Sequence, residues 1–399
     1  MSNSAIRVGA LAALFLAAMS GCAGSAQTRE VPIGKSRVIS DPRGQFTTRL
    51  GLPHTIDEIE DGSVRIQIPL EGSPVPMYCF VLRKPTEVGA SVVRIANSVF
   101  EAFRSQDLVV ENEELVSIEA GAIGEGFYQA ASISYVLRSD EGAGTGLAKA
   151  ASANLDDGAI SCNHADAGYA ETFRRVFADL VGGFTARSPA YESFYREISI
   201  LRINGRELGA LAVSLQRDAE GDVRIVSEAS MIAPAGGAKL DPIYTQDIAW
   251  SRPSGALINA YAREANVVGD TTTLALEWTR EDGWHVQGVH QEKALETSLD
   301  YDGPLHSPLS VEGALRSRLL PHGDETRLVL KQWLSSSPDE IADVVIEVES
   351  EPPFQSTMHA GRVTLRGERD MDGSVRLARH ETENGGEIEI ERIYRRGDL

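Results

Sequence analysis

Residues 274–284 read LALEWTREDGW, and this stretch decides how the second half of the chain is interpreted. Leu274, Leu276 and Trp278 alternate with other residues, which is the two-residue period of a strand with one buried face. The Asp-Gly dipeptide at 282–283 follows, and it tolerates the positive φ angles that a tight hairpin turn requires. The stretch therefore predicts an antiparallel hairpin.

The same signals recur after a break in the pattern at residues 185–192. Leu211, Val213 and Leu215 form another alternating run. Further turn dipeptides stand at Asn204-Gly205, Asp372-Gly373 and Asn384-Gly385. Together these signals predict a mostly antiparallel β domain over residues 190–399, with one short helix near 309–320.

The first half mixes two periodicities. Strand-like tracts are Val64–Ile68, Tyr78–Leu82, Leu115–Ala122, Phe127–Arg138 and Ala159–His164. Apolar residues at helical spacing form two further sets, which are Val92, Ile95, Val99 and Phe103, and Tyr169, Phe173, Val176, Phe177 and Leu180. These patterns predict an α/β domain over residues 36–186.

A helix, several strands and the run Ser161-Cys162-Asn163-His164 leading into the helix of Tyr169 and Phe173 resemble the PsbP-like α/β fold. That fold is common in exported and lipid-anchored proteins. Its family includes assembly and binding factors, and the resemblance implies no shared catalytic residues. The fold class expected from the whole sequence is α+β, with a PsbP-like α/β first domain followed by a mostly antiparallel β second domain.

Residues 1–21 have the features of a signal peptide. Their apolar run, Val8–Met19, is too short to span a bilayer. The run Met19-Ser20-Gly21-Cys22 resembles the bacterial lipobox, in which the cysteine becomes a diacylglycerol-modified N-terminus. The resemblance implies lipidation of Cys22 and a tether over residues 22–35. The alternative is an ordinary secretory signal in which the cysteine is incidental.

The lipobox also implies a location. Ala23 follows the cysteine and offers no acidic signal for retention in the inner membrane. By resemblance to Gram-negative sorting, we expect a lipid-anchored protein of the cell envelope, on the outer membrane and facing the periplasm.

The charge balance excludes one class of partner. The formal net charge is −20, and a negative field of this size repels phosphates, so no nucleic-acid partner is expected. Residues 29–49 are the exception, with five basic and two acidic side chains. This stretch is either a membrane-facing basic tether or a solvated linker.

Cys79 and Cys162 remain once Cys22 is assigned to the lipid. Paired cysteines in an oxidising compartment usually form disulfides, so we expect a bond between them. Two buried free cysteines are the alternative.

The sequence contains no nucleophile elbow, HExxH zinc motif or P-loop. We therefore predict no catalytic set, no cofactor and no metal site. His164 and Asp166 would share a strand face and form a candidate metal or proton-relay pair, or simply a polar strand end. His285 and His290 are five residues apart in a strand and would project to opposite faces. The glycine-rich run 142–146 is interpreted as a loop between two strands rather than a phosphate site.

Three functional hypotheses remain. The favoured one is a lipid-anchored, non-catalytic envelope protein that binds a partner protein or supports envelope assembly. The second is a carrier of a lipid or another apolar ligand in a β cavity. Tryptophans that would line such a cavity, or pack the sheet core, are Trp250, Trp278, Trp284 and Trp333. The third is a hydrolase whose site is assembled from distant residues, with His164 as its first candidate.

Overall fold

The computed structural model describes residues 29–59, 63–82, 88–105, 108–139, 142–187, 191–234, 240–266, 271–279, 283–314, 327–349, 354–361, 363–370, 372, 374–382 and 385–398. The predicted signal peptide and Cys22 lie outside these residues. No helix in the described ranges is long and apolar enough to cross a membrane.

The described residues divide into two compact units. The first unit comprises those within 1–119, 128–189 and 233–241, and the second comprises those within 120–127, 190–232 and 242–399.

In chain order, the first half forms β1 (Arg37–Ser40), β2 (Phe46–Leu50), β3 (Thr55–Glu58), β4 (Val64–Ile68), β5 (Met77–Leu82), α1 (Val88–Arg104), β6 (Val109–Ile123), β7 (Gly126–Ser139), β8 (Gly142–Leu155), β9 (Gly158–Ala165), α2 (Ala170–Gly182) and β10 (Thr185–Ala186). Seven of the strands form one sheet in the order β3-β4-β5-β9-β8-β7-β6. A small sheet has the order β1-β2-β10.

Strand β8 lies at the centre of the contacts between the seven-stranded sheet and the two helices. Both helices pack on β8 and β9, and every residue of 148–155 is buried. A strand covered on both faces needs small side chains where a neighbour approaches closely. A side chain on Gly146 would meet the Tyr135 ring, since its Cβ would lie 2.3 Å from the ring. The glycine-rich run 142–146 is therefore the start of a strand, and its interpretation as a loop is wrong.

The expected α+β class with a PsbP-like α/β first domain is also wrong. The described residues form 24 strands and three helices, and the strands are mostly antiparallel in both halves. Amphipathic helices give a strong periodic signal, whereas an Ala- and Gly-rich strand such as β8 gives almost none. Both predicted helices are present as α1 and α2, but the sequence pattern understates the strand content of the first half.

The second half forms β11 (Glu192–Ile203), β12 (Arg206–Arg217), β13 (Val223–Pro234), β14 (Leu240–Ser251), β15 (Leu257–Asn266), β16 (Thr271–Thr279), β17 (Gly283–His290), β18 (Lys293–Ser298), α3 (Pro308–Ala314), β19 (Arg327–Trp333), β20 (Ile341–Val348), β21 (Phe354–Ala360), β22 (Val363–Arg369), β23 (Val375–Glu381) and β24 (Glu387–Arg396). These strands build one 14-stranded sheet from two meanders. The meanders join where β11 pairs antiparallel with β24. The antiparallel strands predicted for this half are confirmed.

The connection between β18 and β19 fills the apolar side of this sheet. Leu299 and Leu305 belong to the cluster of buried side chains around Leu274. Farther along, Leu309 packs against a second cluster and Val311 belongs to a third. One segment of the chain, residues 299–314, therefore contributes to three apolar clusters; we call it the core segment.

Candidate functional site

At one end of strands β14–β16, polar side chains lie on the sheet face that is apolar farther along, and Asp247 and Glu264 are exposed to solvent there. Thr245 lies opposite Glu264, which lies opposite Thr272. Directly opposed residues project to the same face of a sheet, as do residues two apart in one strand. Asp247 therefore shares this face with Thr245, and Thr272 shares it with the fully buried Leu274. Polar residues where the pattern calls for apolar ones are expected at functional sites.

These residues line a cleft of about 520 Å³ in the second unit. That volume is within the usual range for small-molecule sites. Its lining is mostly polar or charged and consists of Thr245, Asp247, Ala262, Arg263, Glu264, Thr272, His290, Gln291, Glu292, Ser335 and Ser336. The cleft therefore offers several hydrogen-bond donors and acceptors beside apolar surface.

Asp247 is the electrostatic centre of the cleft. Although Asp247 is exposed to solvent, desolvation by neighbouring protein atoms raises the pKa of its carboxyl, and the nearby Glu264 carboxylate adds to the rise. The Ser335 hydroxyl opposes this shift by donating to Asp247 Oδ1 across 3.4 Å. A carboxylate with one long hydrogen bond retains acceptor capacity for a ligand.

The turn between β17 and β18 forms another wall of the cleft. Gln291 and Glu292 have φ angles of 49° and 64°, a left-handed conformation that non-glycine residues rarely adopt. The Gln291 N–H donates to Thr272 Oγ1 across 3.2 Å. The adjacent His290 has a buried Nδ1 with no hydrogen-bond partner among the described residues. These φ angles are the ones that a two-residue hairpin turn requires, and the turn places an unpaired ring nitrogen in the lining of the cleft.

The sequence candidate His164 lies elsewhere, in the first unit, and it is 1% exposed. The structure brings Ser73 Oγ within 3.2 Å of its Nε2, a contact that sequence reasoning missed. The Ser73 hydroxyl, however, donates to the Val75 carbonyl at 2.8 Å. A serine nucleophile must donate its proton to the base, and here the hydroxyl donates to a carbonyl instead.

The other ring nitrogen of His164 does not complete a triad either. Nδ1 is buried without a partner among the described residues. Burial, and then the Lys149 ammonium, lower the pKa of His164 to about 4, so the ring is neutral at pH 7. Asp166, the second member of the candidate pair, accepts the Ala167 N–H instead. In the described part of the chain, no group of three or more His, Cys, Asp or Glu side chains is arranged to hold a metal.

Lys149 is a buried residue that the sequence analysis did not single out. It lies opposite His164 in the β8–β9 pair and is 2% exposed. Its ammonium donates to the carbonyls of Asp166 and Gly168, and burial lowers its pKa to about 8. A lone lysine within the alanine-rich run 147–153 was the signal that could have identified it.

The predicted disulfide is present between Cys79 and Cys162. The two residues are directly opposed in the β5–β9 pair, and both are fully buried. The bond therefore crosslinks two neighbouring strands of the first unit's sheet.

Trp284 and Trp333 pack in the same apolar cluster of the second unit's sheet. Trp284 is buried and donates its indole N–H to the Gly303 carbonyl at 3.0 Å. Trp333 donates to the Pro338 carbonyl at 3.1 Å. Trp278, by contrast, is 52% exposed. Two of these indoles thus hold loops against the sheet, which is the packing role that the sequence left open.

Comparison with known proteins adds little to this geometry. No protein-family model matches the chain, and no curated protein matches it. Among solved structures, the chain is similar to a beta-barrel-like protein of the domain of unknown function DUF1849 from Brucella abortus. The two are 8% identical with a TM-score of 0.39, over 51% of this chain and 98% of that one. Neither fold nor function follows from a likeness of this size.

Proposed function

We propose that the protein is a lipid-anchored, non-catalytic binding protein of the bacterial cell envelope, and that the cleft in its second unit holds a small polar ligand. The observation that carries the proposal is the polar lining of the cleft, which lies on the same sheet face as the apolar core. A break of this kind in an apolar pattern is expected at functional sites.

An apolar ligand is a poorer match for the second unit. The core segment already occupies the apolar side of the sheet. Backbone hydrogen bonds hold it on two sides, since Leu257 N donates to Leu305 O and His306 N donates to Lys331 O, both at 2.9 Å. A lipid would have to displace a segment that is fixed in place.

The envelope location is supported by sequence and chemistry together. The run that ends at Cys22 resembles a lipobox. The Cys79–Cys162 disulfide suits an oxidising compartment, such as the periplasm. Outer-membrane attachment is proposed from the residue that follows Cys22.

Ligand binding is tested by native mass spectrometry. The wild-type chain and an Asp247→Asn/Glu264→Gln variant are incubated with a small-molecule extract of bacterial periplasm and then desalted. We expect a bound mass on the wild-type chain and at least roughly tenfold less on the variant, since two charge-assisted hydrogen bonds are lost. Asp343→Asn/Glu347→Gln, which neutralises two exposed acids on β20, is the matched control. Equal adducts on both variants would refute the cleft as the site.

Anchoring is tested by detergent partitioning. The wild-type protein should enter the detergent phase, because acyl chains contribute about 0.8 kcal/mol per buried methylene. Cys22→Ala should remain in the aqueous phase. If the variant still partitions into detergent, lipidation at Cys22 is wrong.

A further inference from the structure

Two carboxylates in the cleft of the second unit are close together on one sheet face. Glu264 is directly opposite Thr245, and Asp247 follows two residues later on the same strand, so the two acids are diagonal neighbours. Neither acid forms an ion pair with a described residue, whereas carboxylates elsewhere in the second unit commonly do. Such pairs are Asp222–Arg252, Glu347–Arg327, Asp343–Lys331 and Glu368–Arg376. The cleft therefore keeps two carboxylates available for a charged group from outside the chain.

The remaining charged side chains leave this part of the cleft acidic. Arg263 precedes Glu264 on β15, and successive residues of a strand project to opposite faces, so the guanidinium projects away from the face that carries the acids. Glu292 adds a third acidic side chain to the lining, from the turn between β17 and β18. A concave surface that carries charge of one sign concentrates ligands of the opposite sign. The cleft therefore favours a cation.

Mutual repulsion of the two acids also favours a cation between them. Desolvation, and then the Glu264 carboxylate, raise the pKa of Asp247. An opposite charge near two like charges stabilises the ionised form of both. Binding of a cation would therefore relieve an unfavourable interaction that the empty cleft contains.

The size and lining of the cleft favour an organic cation over a metal ion. Its volume of about 520 Å³ is within the range of small-molecule sites, and the described part of the chain holds no metal-binding group of three or more His, Cys, Asp or Glu. An ammonium group has three hydrogen-bond donors and no acceptor, so carboxylates and hydroxyl oxygens are suitable partners. The hydroxyls in the lining belong to Thr245, Thr272, Ser335 and Ser336.

We propose that the cleft binds a small organic molecule through a protonated amine, which lies between the carboxylates of Asp247 and Glu264. The proposal rests on the ligand-binding function proposed above and adds the chemical class of the ligand. Diagonal neighbours in an antiparallel pair are about 7–8 Å apart, so one ammonium group can donate to both carboxylates. The hydroxyl groups of the lining contact the polar remainder of the molecule.

The test divides the periplasmic extract used for native mass spectrometry into three portions. One is untreated, one is passed through a sulfonate cation exchanger at neutral pH, and one is treated with sulfosuccinimidyl acetate, which converts amines into neutral amides. The untreated extract should give an adduct on the wild-type chain. The exchanger should remove the ligand, and salt elution should return it. Acetylation should lower the adduct at least roughly tenfold, because the charge-assisted hydrogen bonds are lost, whereas hydrolysed reagent should have no effect.

Single substitutions test the two carboxylates separately. Asp247→Asn and Glu264→Gln should each weaken the adduct roughly tenfold, since each removes one charge-assisted hydrogen bond. Asp343→Asn is the matched control, because Asp343 pairs with Lys331 on β19 and does not line the cleft. It should leave the adduct unchanged. Thermal unfolding of each variant checks that the fold is retained.

Two results would overturn the amine assignment and leave the cleft as a binding site. They are an adduct that passes the exchanger or survives acetylation, and an adduct with the mass of a bare metal ion, each being lost from Asp247→Asn/Glu264→Gln. An adduct that this double variant retains, or no adduct from the untreated extract, would instead contradict ligand binding in the cleft and this inference with it. Failure of the ligand class and failure of the site are therefore distinguishable.

Discussion

At the scale of single residues, the pair His164 and Lys149 shows how a buried site limits its own chemistry. Two side chains that can both become cations lie directly opposite each other on neighbouring strands. Like charges at such positions repel, and burial adds a desolvation penalty to each. Lys149 satisfies its ammonium with backbone carbonyls, so the histidine must remain neutral. The pair therefore makes the first unit sensitive to acid.

We predict that acid destabilises the first unit through His164. Its pKa is about 4 in the folded chain against 6.5 ordinarily, so the unfolded chain binds more protons between these values. The stabilisation is complete above pH 6.5 and is lost as the pH falls toward 4. This lowers the free energy of unfolding by up to about 3 kcal/mol, because each unit of pKa difference corresponds to about 1.36 kcal/mol. Scanning calorimetry from pH 4 to 8 should show this dependence in the wild-type chain and a flatter one in His164→Gln. Parallel curves would contradict the assignment.

Sequence reasoning located some of these residues and missed others for a physical reason. His164 and the disulfide partners stand out because their residue types have few ordinary roles. Ser73 does not, because it contacts His164 from a distant part of the chain, and the burial of Lys149 beside His164 follows only from the pairing of β8 with β9. The polar cleft was missed for the same reason. Asp247, Glu264 and Ser335 come together only through strand register and loop placement.

At the scale of elements, helix α2 depends on a residue from outside the helix. Its N-cap is Tyr169, which has a left-handed backbone and makes no side-chain capping bond. Glu30 takes over this role, since its carboxylate accepts the N–H groups of Glu171 and Thr172 at 3.0 and 2.7 Å. A carboxylate at this end of a helix also interacts favourably with the helix dipole. The N-terminal segment and α2 therefore stabilise each other.

We predict that Glu30→Gln lowers the unfolding free energy by about 1 kcal/mol, as loss of a cap does. The pKa of Glu30 is lowered because the hydrogen bonds from Thr172 and Glu171 outweigh the effect of burial. The stabilisation that Glu30 gives to the fold is therefore fully present above pH 4.5, its ordinary pKa, and is lost as the pH falls below that value. Trypsin should also cleave faster after Arg29 and Lys35. Glu171→Gln, an exposed acid of the same helix turn, serves as the control, and an equal effect there would argue against capping.

The disulfide between β5 and β9 provides a second prediction about elements. It closes a long loop, with a sequence separation of 83. In the chain-entropy model, a disulfide that closes a loop of this length stabilises the folded state by about 4–5 kcal/mol. Cys79→Ala/Cys162→Ala should therefore lower the melting temperature of the first unit, and reductant should have no further effect on the variant. An unchanged melting temperature would mean that the bond adds no stability.

At the scale of the whole chain, the turn predictions are tested at one place, because Asp282, Gly373 and Asn384 of the other turn dipeptides lie outside the described residues. The Asn-Gly signal at 204–205 does connect β11 to β12, and Asn204 and Gly205 have the positive φ angles that the turn requires. The core segment was beyond prediction. Nothing local in residues 299–314 shows that they return to three separate apolar clusters, because those clusters exist only once the strands have paired.

The core segment gives the last prediction. Leu305 is fully buried among Leu274, Leu276 and Trp284, so Leu305→Ala should leave a cavity and cost about 2–5 kcal/mol of unfolding free energy. If this segment occupies the space that an apolar ligand would need, the wild-type chain should not enhance the fluorescence of anilinonaphthalene sulfonate. The variant should not enhance it either, because a cavity of the size of the deleted side chain admits apolar molecules no larger than about benzene. Val329→Ala, at an exposed apolar position on β19, should change neither stability nor fluorescence. Dye binding by the wild-type chain that a lipid displaces would instead favour an apolar carrier and refute a polar-ligand function for the second unit.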